Sequence, residues 1–184
     1  MLLTRRYNRF RALEYAERWA YNRNPLFTSY NGLGGDCTNF VSQCVLAGTC
    51  TMNYTPTFGW YYISDADRAP AWTGVEFFYN FITSNKEEGP FGLEITEDDL
   101  AVGDVIQLGD GTGDYYHTLI VSGFTRRDGI LVAAHSDDAF DRQLKSYNYA
   151  SVRYIKILGY RTESLLPPLC FDALISGAAL PEQE

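Results

Sequence analysis

The chain has 184 residues and a formal net charge of −8, which is long enough for one domain with a substantial core and too acidic for a nucleic-acid partner, whose phosphates call for a basic surface. No run of 18 apolar residues occurs, so no membrane span is expected, and no apolar signal core precedes Arg5 and Arg6, so a cytoplasmic setting is expected. Four cysteines are present, Cys37, Cys44, Cys50 and Cys170. If one of them does chemistry, three remain, which makes no closed disulfide set and points to reduced thiols. The charge is uneven: residues 1–25 carry +4 and the remainder −12. A solvated basic face accounts for that excess more simply than a helix docked on the acidic part.

Residues 8–23 read as a helix, with Phe10, Leu13, Ala16 and Ala20 at three- and four-residue steps and a Tyr15–Trp19 pair one turn apart. Asn24-Pro25 stops it. The run Asn31-Gly32-Leu33-Gly34-Gly35-Asp36-Cys37-Thr38-Asn39-Phe40-Val41-Ser42-Gln43 then passes from a glycine-rich turn into a second helix, residues 37–47, with Gly48 as its C-cap. Asp36 is the expected N-cap. Cys37 becomes the first helical residue, where the positive end of the helix dipole favours a thiolate. A buried cysteine on an ordinary loop-to-helix junction is the plainer alternative.

Eleven of the 28 aromatic residues fall between Tyr54 and Phe91, around a short helix at Val75–Thr83. Such density fits either core packing or a cleft wall that grips a peptide or sugar, and this aromatic-rich segment, residues 51–100, is read as part of the wall. After Leu100 the pattern changes to strands: residues 104–108, 116–124, 129–135 and 152–160, joined by short turns that favour antiparallel pairing. Helices first and strands afterwards define an α+β class, N-terminal helices on an antiparallel sheet of about four to six strands. A single domain over residues 1–161 is expected, followed by a tail, residues 162–184, that caps an edge or hangs loosely.

The two histidines, His117 and His135, fall on the two strands of one expected hairpin. A three-residue loop at Thr125–Arg127 sets them directly opposite each other; moving the loop to Arg126–Asp128 sets His117 opposite Asp137 with His135 diagonal. Either register gives His117 a polar neighbour whose identity stays open. Zinc needs closely spaced ligands such as Cys-x-x-Cys, and a phosphate loop needs Gly-Lys-Ser or Gly-Lys-Thr. Neither pattern is present, so neither metal nor cofactor is expected.

The string Gly34 to Cys44, with Gly103-Asp104-Val105-Ile106-Gln107, Tyr116-His117-Thr118-Leu119-Ile120-Val121 and Ala134-His135-Ser136-Asp137-Asp138, resembles the bacterial "putative amidase" domain family, grouped with papain-like cysteine peptidases of the NlpC type. The resemblance runs from about Tyr7 to Tyr160. It implies a papain-like core in which Cys37 is the catalytic cysteine and His117 the catalytic histidine. The third group comes from the next strand, pointing to His135, with Asp138 matching an aspartate that tends to follow it.

The chemistry expected is hydrolysis of an amide bond in a peptide or related substrate. His117 takes the Cys37 proton, the sulfur forms a thioacyl intermediate, and a paired thiol of this kind ionises at roughly 3.5–7.5. His135, Asp137 or Asp138 orients the His117 ring. The Cys37 amide faces the oxyanion, with Asp36, Asn31 and Asn39 as candidate positioning groups, although a turn cap and a local hydrogen bond explain Asn31 and Asn39 as well. A non-catalytic peptide- or glycan-binding module and a thiol acyltransferase are the competing readings. Cell-wall-type peptides are the substrate suggested by the NlpC-type relatives.

Overall fold

The computed structural model describes residues 1–178 and is an α+β fold. Seven strands form one antiparallel sheet: β1 (Leu3–Arg5), β2 (Gly89–Ile95), β3 (Val105–Gly109), β4 (Tyr115–Thr125), β5 (Gly129–Ala134), β6 (Ala139–Gln143) and β7 (Ser151–Thr162). Their spatial order is β1-β7-β3-β4-β5-β6, and β2 also pairs with β7. The long strand β7 is therefore the hub, since β1, β2 and β3 all pair with it. Among the described residues five α-helices accompany the sheet: α1 (Arg9–Trp19), α2 (Asp36–Thr49), α3 (Pro70–Thr73), α4 (Val75–Ser84) and α5 (Phe171–Ser176). None of the described helices is long and apolar enough to cross a membrane.

α2 is the centre of the molecule. All of its fourteen residues are buried, as expected of a helix enclosed on every side. Its neighbours are α1, α3, α5 and the strands β2, β4 and β5. Gly48 does not cap it. The helix runs two residues further, ending on Cys50 at φ +49°. Gly48 is there for space, because an added Cβ would sit 2.2 Å from the Tyr7 ring. Two cores result. The larger lies between the helices and one face of the sheet, and contains Phe40, Val45, Trp60, Trp72, Ile120 and Ile155. The smaller lies on the other face of β3, β4 and β5, and contains Ile106, Leu108, Leu119, Val121 and Val132.

The aromatic segment mostly serves the larger core. Trp60 and Trp72 are fully buried with ring centroids 4.9 Å apart, and Phe27 stacks on Trp72. Only Tyr54, Phe58 and Phe77 of this segment are large aromatic residues left exposed. The basic N-terminus is also more engaged than a solvated face would be. Arg9 reaches Asp104 at 2.6 Å and the Ile157 carbonyl at 2.7 Å.

The cysteine expectation is overturned. Cys50 and Cys170 form a disulfide with Cα atoms 5.4 Å apart, leaving Cys37 and Cys44 as thiols. An odd set of three does not exclude one bridge: Cys50 and Cys170 pair across 120 residues and Cys44 stays a lone buried thiol. The bridge fastens the tail to the end of α2. Beside it, Leu174 is fully buried, and its carbonyl accepts from the Trp19 indole and the Asn24 amide. The tail thus docks as far as it is described, and residues 179–184 lie outside the described part.

Closing a loop of this length constrains the unfolded chain by roughly 3–5 kcal/mol. Denaturant unfolding of a Cys50→Ala, Cys170→Ala double variant is expected to show a loss of about that size. Thiol counting on the denatured, unreduced protein should give two free thiols; four would contradict the bridge.

Candidate active site

The glycine turn enters α2 through Gly35, at φ +90°, a backbone conformation that side chains rarely adopt. Space is short there as well, since an added Cβ would lie 3.0 Å from the Thr73 carbonyl at the end of α3. The helix begins at Asp36, which is therefore its first residue and not its N-cap. The carboxylate has stronger partners than the helix amides. Its Oδ1 accepts from the Tyr30 amide (2.9 Å) and the Asn39 side chain (3.2 Å). Its Oδ2 stands 3.1 Å from Arg23 Nε and 3.2 Å from His135 Nδ1, charge contacts that lack the alignment of hydrogen bonds. Burial works to raise the Asp36 pKa, but His135, the Tyr30 amide and Asn39 outweigh it and hold it at about 2. An anionic carboxylate repels an oxyanion, so Asp36 can position the site but cannot stabilise that charge.

Arg23, which the sequence reading passed over, extends this cluster. It makes two 2.9 Å bonds to the Asp138 carboxylate. His135 sits in the β5–β6 turn, where Ser136 and Asp137 both have positive φ. Its Nε2 donates to the Trp19 carbonyl (2.9 Å) and its ring stacks on Phe40 with centroids 4.0 Å apart. Both ring nitrogens thus face oxygen atoms of Asp36 and Trp19. Asn39 is a brace: it donates to the Thr28 carbonyl and accepts from the Trp72 indole. Asn31 lies exposed in the preceding turn, with its amide 3.4 Å from Ser29 Oγ.

His117 belongs to a second cluster. The β4–β5 turn occupies Arg126–Asp128, between the paired Thr125 and Gly129. A bulge at Ser122 then shifts the register by one, and the β4–β5 pairs end at Ile120 and Ala133. A shift of one residue exchanges the faces. His135 follows Ala133 onto the α2 side, while His117 pairs with Leu108 of the smaller core. The two histidines are therefore not cross-strand neighbours. The His117 ring lies 5.8 Å from that of Tyr147, over which the Arg142 guanidinium stacks at 3.9 Å. Arg142 in turn pairs with Asp137. Burial, aided by the Arg142 charge, lowers the His117 pKa to about 4, with Asp137 opposing. The Tyr147 hydroxyl is buried without a hydrogen-bond partner among the described residues.

Cys37 stands between the clusters. Its residue is 5% exposed. The thiol lies 3.9 Å from the Thr38 hydroxyl, which in turn lies 2.8 Å from the Thr118 hydroxyl of β4. Thr118 is the residue after His117, so α2 meets β4 one residue from His117, whose side chain points to the other face of the sheet. Among the described residues no hydrogen bond joins the thiol to the His117 ring. The expected acidification of the thiol is also reversed: burial pushes it up, and the donors from Thr118 and Thr38 oppose this without overcoming it. No group of three or more His, Cys, Asp or Glu side chains converges as metal ligands would among the described residues.

Fold and site together define an α+β domain with a thiol at the start of its central helix, set against a histidine-bearing strand. The family model described as "Putative amidase domain" matches residues 6–158. The chain belongs to that family. It is also 31% identical over 147 residues to the uncharacterized protein YhbB of Bacillus subtilis (strain 168), an alignment covering 78% of this chain and 45% of that protein. The chain thus spans under half the length of that relative. No solved structure matches it.

The two lowered pKa values fix the sign of the acid response. Unfolded His117 takes a proton near pH 6.5 that the folded form refuses until about 4, so stability is expected to fall as pH drops across that window. Unfolded Asp36 is protonated near 4 and the folded form near 2, giving a second loss between those values. Denaturant midpoints measured against pH should show both, and His117→Gln should flatten only the upper one. Asp36→Asn leaves Arg23 and His135 without their buried partner and is expected to cost roughly 3–5 kcal/mol.

Proposed function

We propose that the protein is a cysteine-dependent amide hydrolase of papain-like design, with Cys37 as nucleophile and His117 as general base. The family supports the reaction class. The observation that carries the assignment to these residues is the 2.8 Å contact between the Thr38 and Thr118 hydroxyls, which joins the residue after Cys37 on α2 to the residue after His117 on β4. His117 accepts the thiol proton as the sulfur attacks the substrate carbonyl carbon. The tetrahedral intermediate collapses with release of the amine, which takes that proton from His117, and a thioacyl bond remains. Water then attacks the thioester while His117 takes one of its protons, and the acid departs as the thiol is restored.

With the thiol raised and the imidazole lowered, the resting pair is neutral, and the thiolate forms only as substrate enters. Among the candidates for a third residue, Asp137 is favoured because its partner Arg142 stacks on the Tyr147 ring beside His117, whereas His135 and Asp138 belong to the Asp36–Arg23 cluster on the other face. The tail clamp of α5 and the Cys50–Cys170 bridge suit an oxidising compartment better than the cytoplasm. That setting agrees with cell-wall-type peptides as substrates.

One observation favours a second reading, a peptide- or glycan-binding module on the same fold: Cys37 is only 5% exposed and its thiol is raised. Turnover of a panel of peptide amides, wall-type peptides included, decides between them. Cys37→Ala is expected to abolish hydrolysis and His117→Ala to lower it by roughly 100-fold or more. A thioacyl adduct on Cys37 should be trapped by acid quench and mass spectrometry. Hydrolysis by Cys37→Ala at the wild-type rate would remove the nucleophile. Binding of the same peptides without turnover would establish the module.

A further inference from the structure

A line of polar side chains crosses the buried interface between the sheet and the helices and ends at Cys37. It starts at Arg153 on β7, which pairs with Glu76 at 2.7 Å and lies between the rings of Tyr79 and Tyr115, at 3.6 and 3.9 Å. Arg153 Nε donates to Gln107 Oε1 on β3 at 2.8 Å. The Gln107 amide nitrogen donates to the Val75 carbonyl (2.8 Å) and to Thr118 Oγ1 on β4 (3.3 Å). Thr118 Oγ1 and Thr38 Oγ1 are 2.8 Å apart, and Thr38 Oγ1 is 3.9 Å from the Cys37 sulfur. Gln107, Thr118 and Thr38 are at most 1% exposed, and Arg153 is 6% exposed.

Elementary hydrogen-bond chemistry sets the direction of this line. A guanidinium has only donors, so Gln107 must turn its oxygen to Arg153 and its NH2 to Thr118. Thr118, having accepted from Gln107, has one hydrogen to give, and its acceptor among the described residues is Thr38. The Thr38 hydrogen is then left for the sulfur. Every bond points the same way, away from a fixed cation and toward Cys37. A chain aligned in this way polarises cooperatively, and low dielectric strengthens it.

We propose that Arg153, Gln107, Thr118 and Thr38 form a one-way donor relay that stabilises the thiolate of Cys37, and that these four are positioning residues for the reaction. The inference rests on the reading of Cys37 as the nucleophile. It supplies what that reading lacks, a source of stabilisation for a sulfur anion formed beside a weakly basic imidazole. Thr118 is the joint of the line, accepting from Gln107 and standing 2.8 Å from the Thr38 hydroxyl.

The test is the pH dependence of Cys37 alkylation by iodoacetamide, followed on the Cys37 peptide by mass spectrometry so that Cys44 does not interfere. The charged and titratable groups on the elements packed around Cys37 are Asp36 beside it, Arg23 and His135 on Asp36, and His117 on β4; none of them is changed in the variants. Thr118→Val keeps the shape and breaks the line, and Thr118→Ser keeps the hydroxyl. Loss of a donor to an ionised sulfur should slow alkylation at pH 8 by about tenfold in Thr118→Val and move its midpoint up by about one pH unit. Thr118→Ser should restore the wild-type profile. Thr38→Val breaks the relay at its other end and must give the same shift, which keeps the test decisive if Thr118→Val does not fold. Equal profiles for wild type and the folded valine variants would overturn the relay, as would a profile that Thr118→Ser fails to restore. Alkylation needs no substrate, so the relay stands or falls independently of amide hydrolysis: a wild type that hydrolyses nothing yet shows these shifts retains the relay and loses the enzyme.

Discussion

The Asp36 carboxylate is the constraint on which the rest of the site depends. It is fully buried, and a charge so placed is tolerable only if partners surround it. Those partners come from four parts of the chain: Arg23 beyond α1, Tyr30 in the loop, Asn39 one turn further along α2, and His135 between β5 and β6. None of these segments is locally obliged to meet the others. Satisfying one anion therefore fixes the entrance of α2, and with it the place of the next residue, Cys37. Asp138 extends the same control by holding Arg23 from the other side.

Around this point the fold separates two jobs by using the two faces of the sheet. The α2 face holds the ion cluster at Asp36, whose outer members Arg23 and Asp138 are partly exposed, and the buried line from Arg153 through Gln107 to Thr118. The opposite face holds His117 with Tyr147, Arg142 and Asp137. α2 meets β4 at Thr118, outside the paired run of β4 with β5. A thiol raised by burial and an imidazole lowered by burial thereby lie on the two sides of one stretch of β4. A thiol kept neutral at rest is also less open to oxidation, since the thiolate is the reactive form.

Much of the architecture was legible because it is periodic. The helical steps of Phe40, Val41, Cys44 and Val45 and the strand-forming run at 105–109 mark elements buried throughout, and the runs at 115–125 and 151–162 mark strands with a buried middle or an alternating buried face. The short strands β1, β2 and β6 carry mixed polarity and were not legible. The site was half legible. Cys37 and His117 stand out by residue type and setting, but their surroundings depend on features with no local signal. One is the bulge at Ser122, which exchanges the faces of the two histidines. Another is the engagement of Asp36 with Tyr30, Asn39, Arg23 and His135 in place of the helix amides beside it. Arg23 left only a weak trace, the excess of arginine before residue 25. The Cys50–Cys170 bridge left none, because pairing across 120 residues is a property of the finished fold.

The central claim is that the ion cluster at Asp36 holds the start of α2 against β4 at Thr118. Hydrogen exchange of the Thr118 amide, followed by NMR in the wild type and in Asp36→Asn, tests it most directly. The account predicts slow exchange in the wild type, although β4 has no partner strand from β5 at this position, and a marked acceleration in the variant while the amides of Ile106 and Ile155 stay protected. Rapid exchange in the wild type, or equal protection of Thr118 in both proteins, would contradict it.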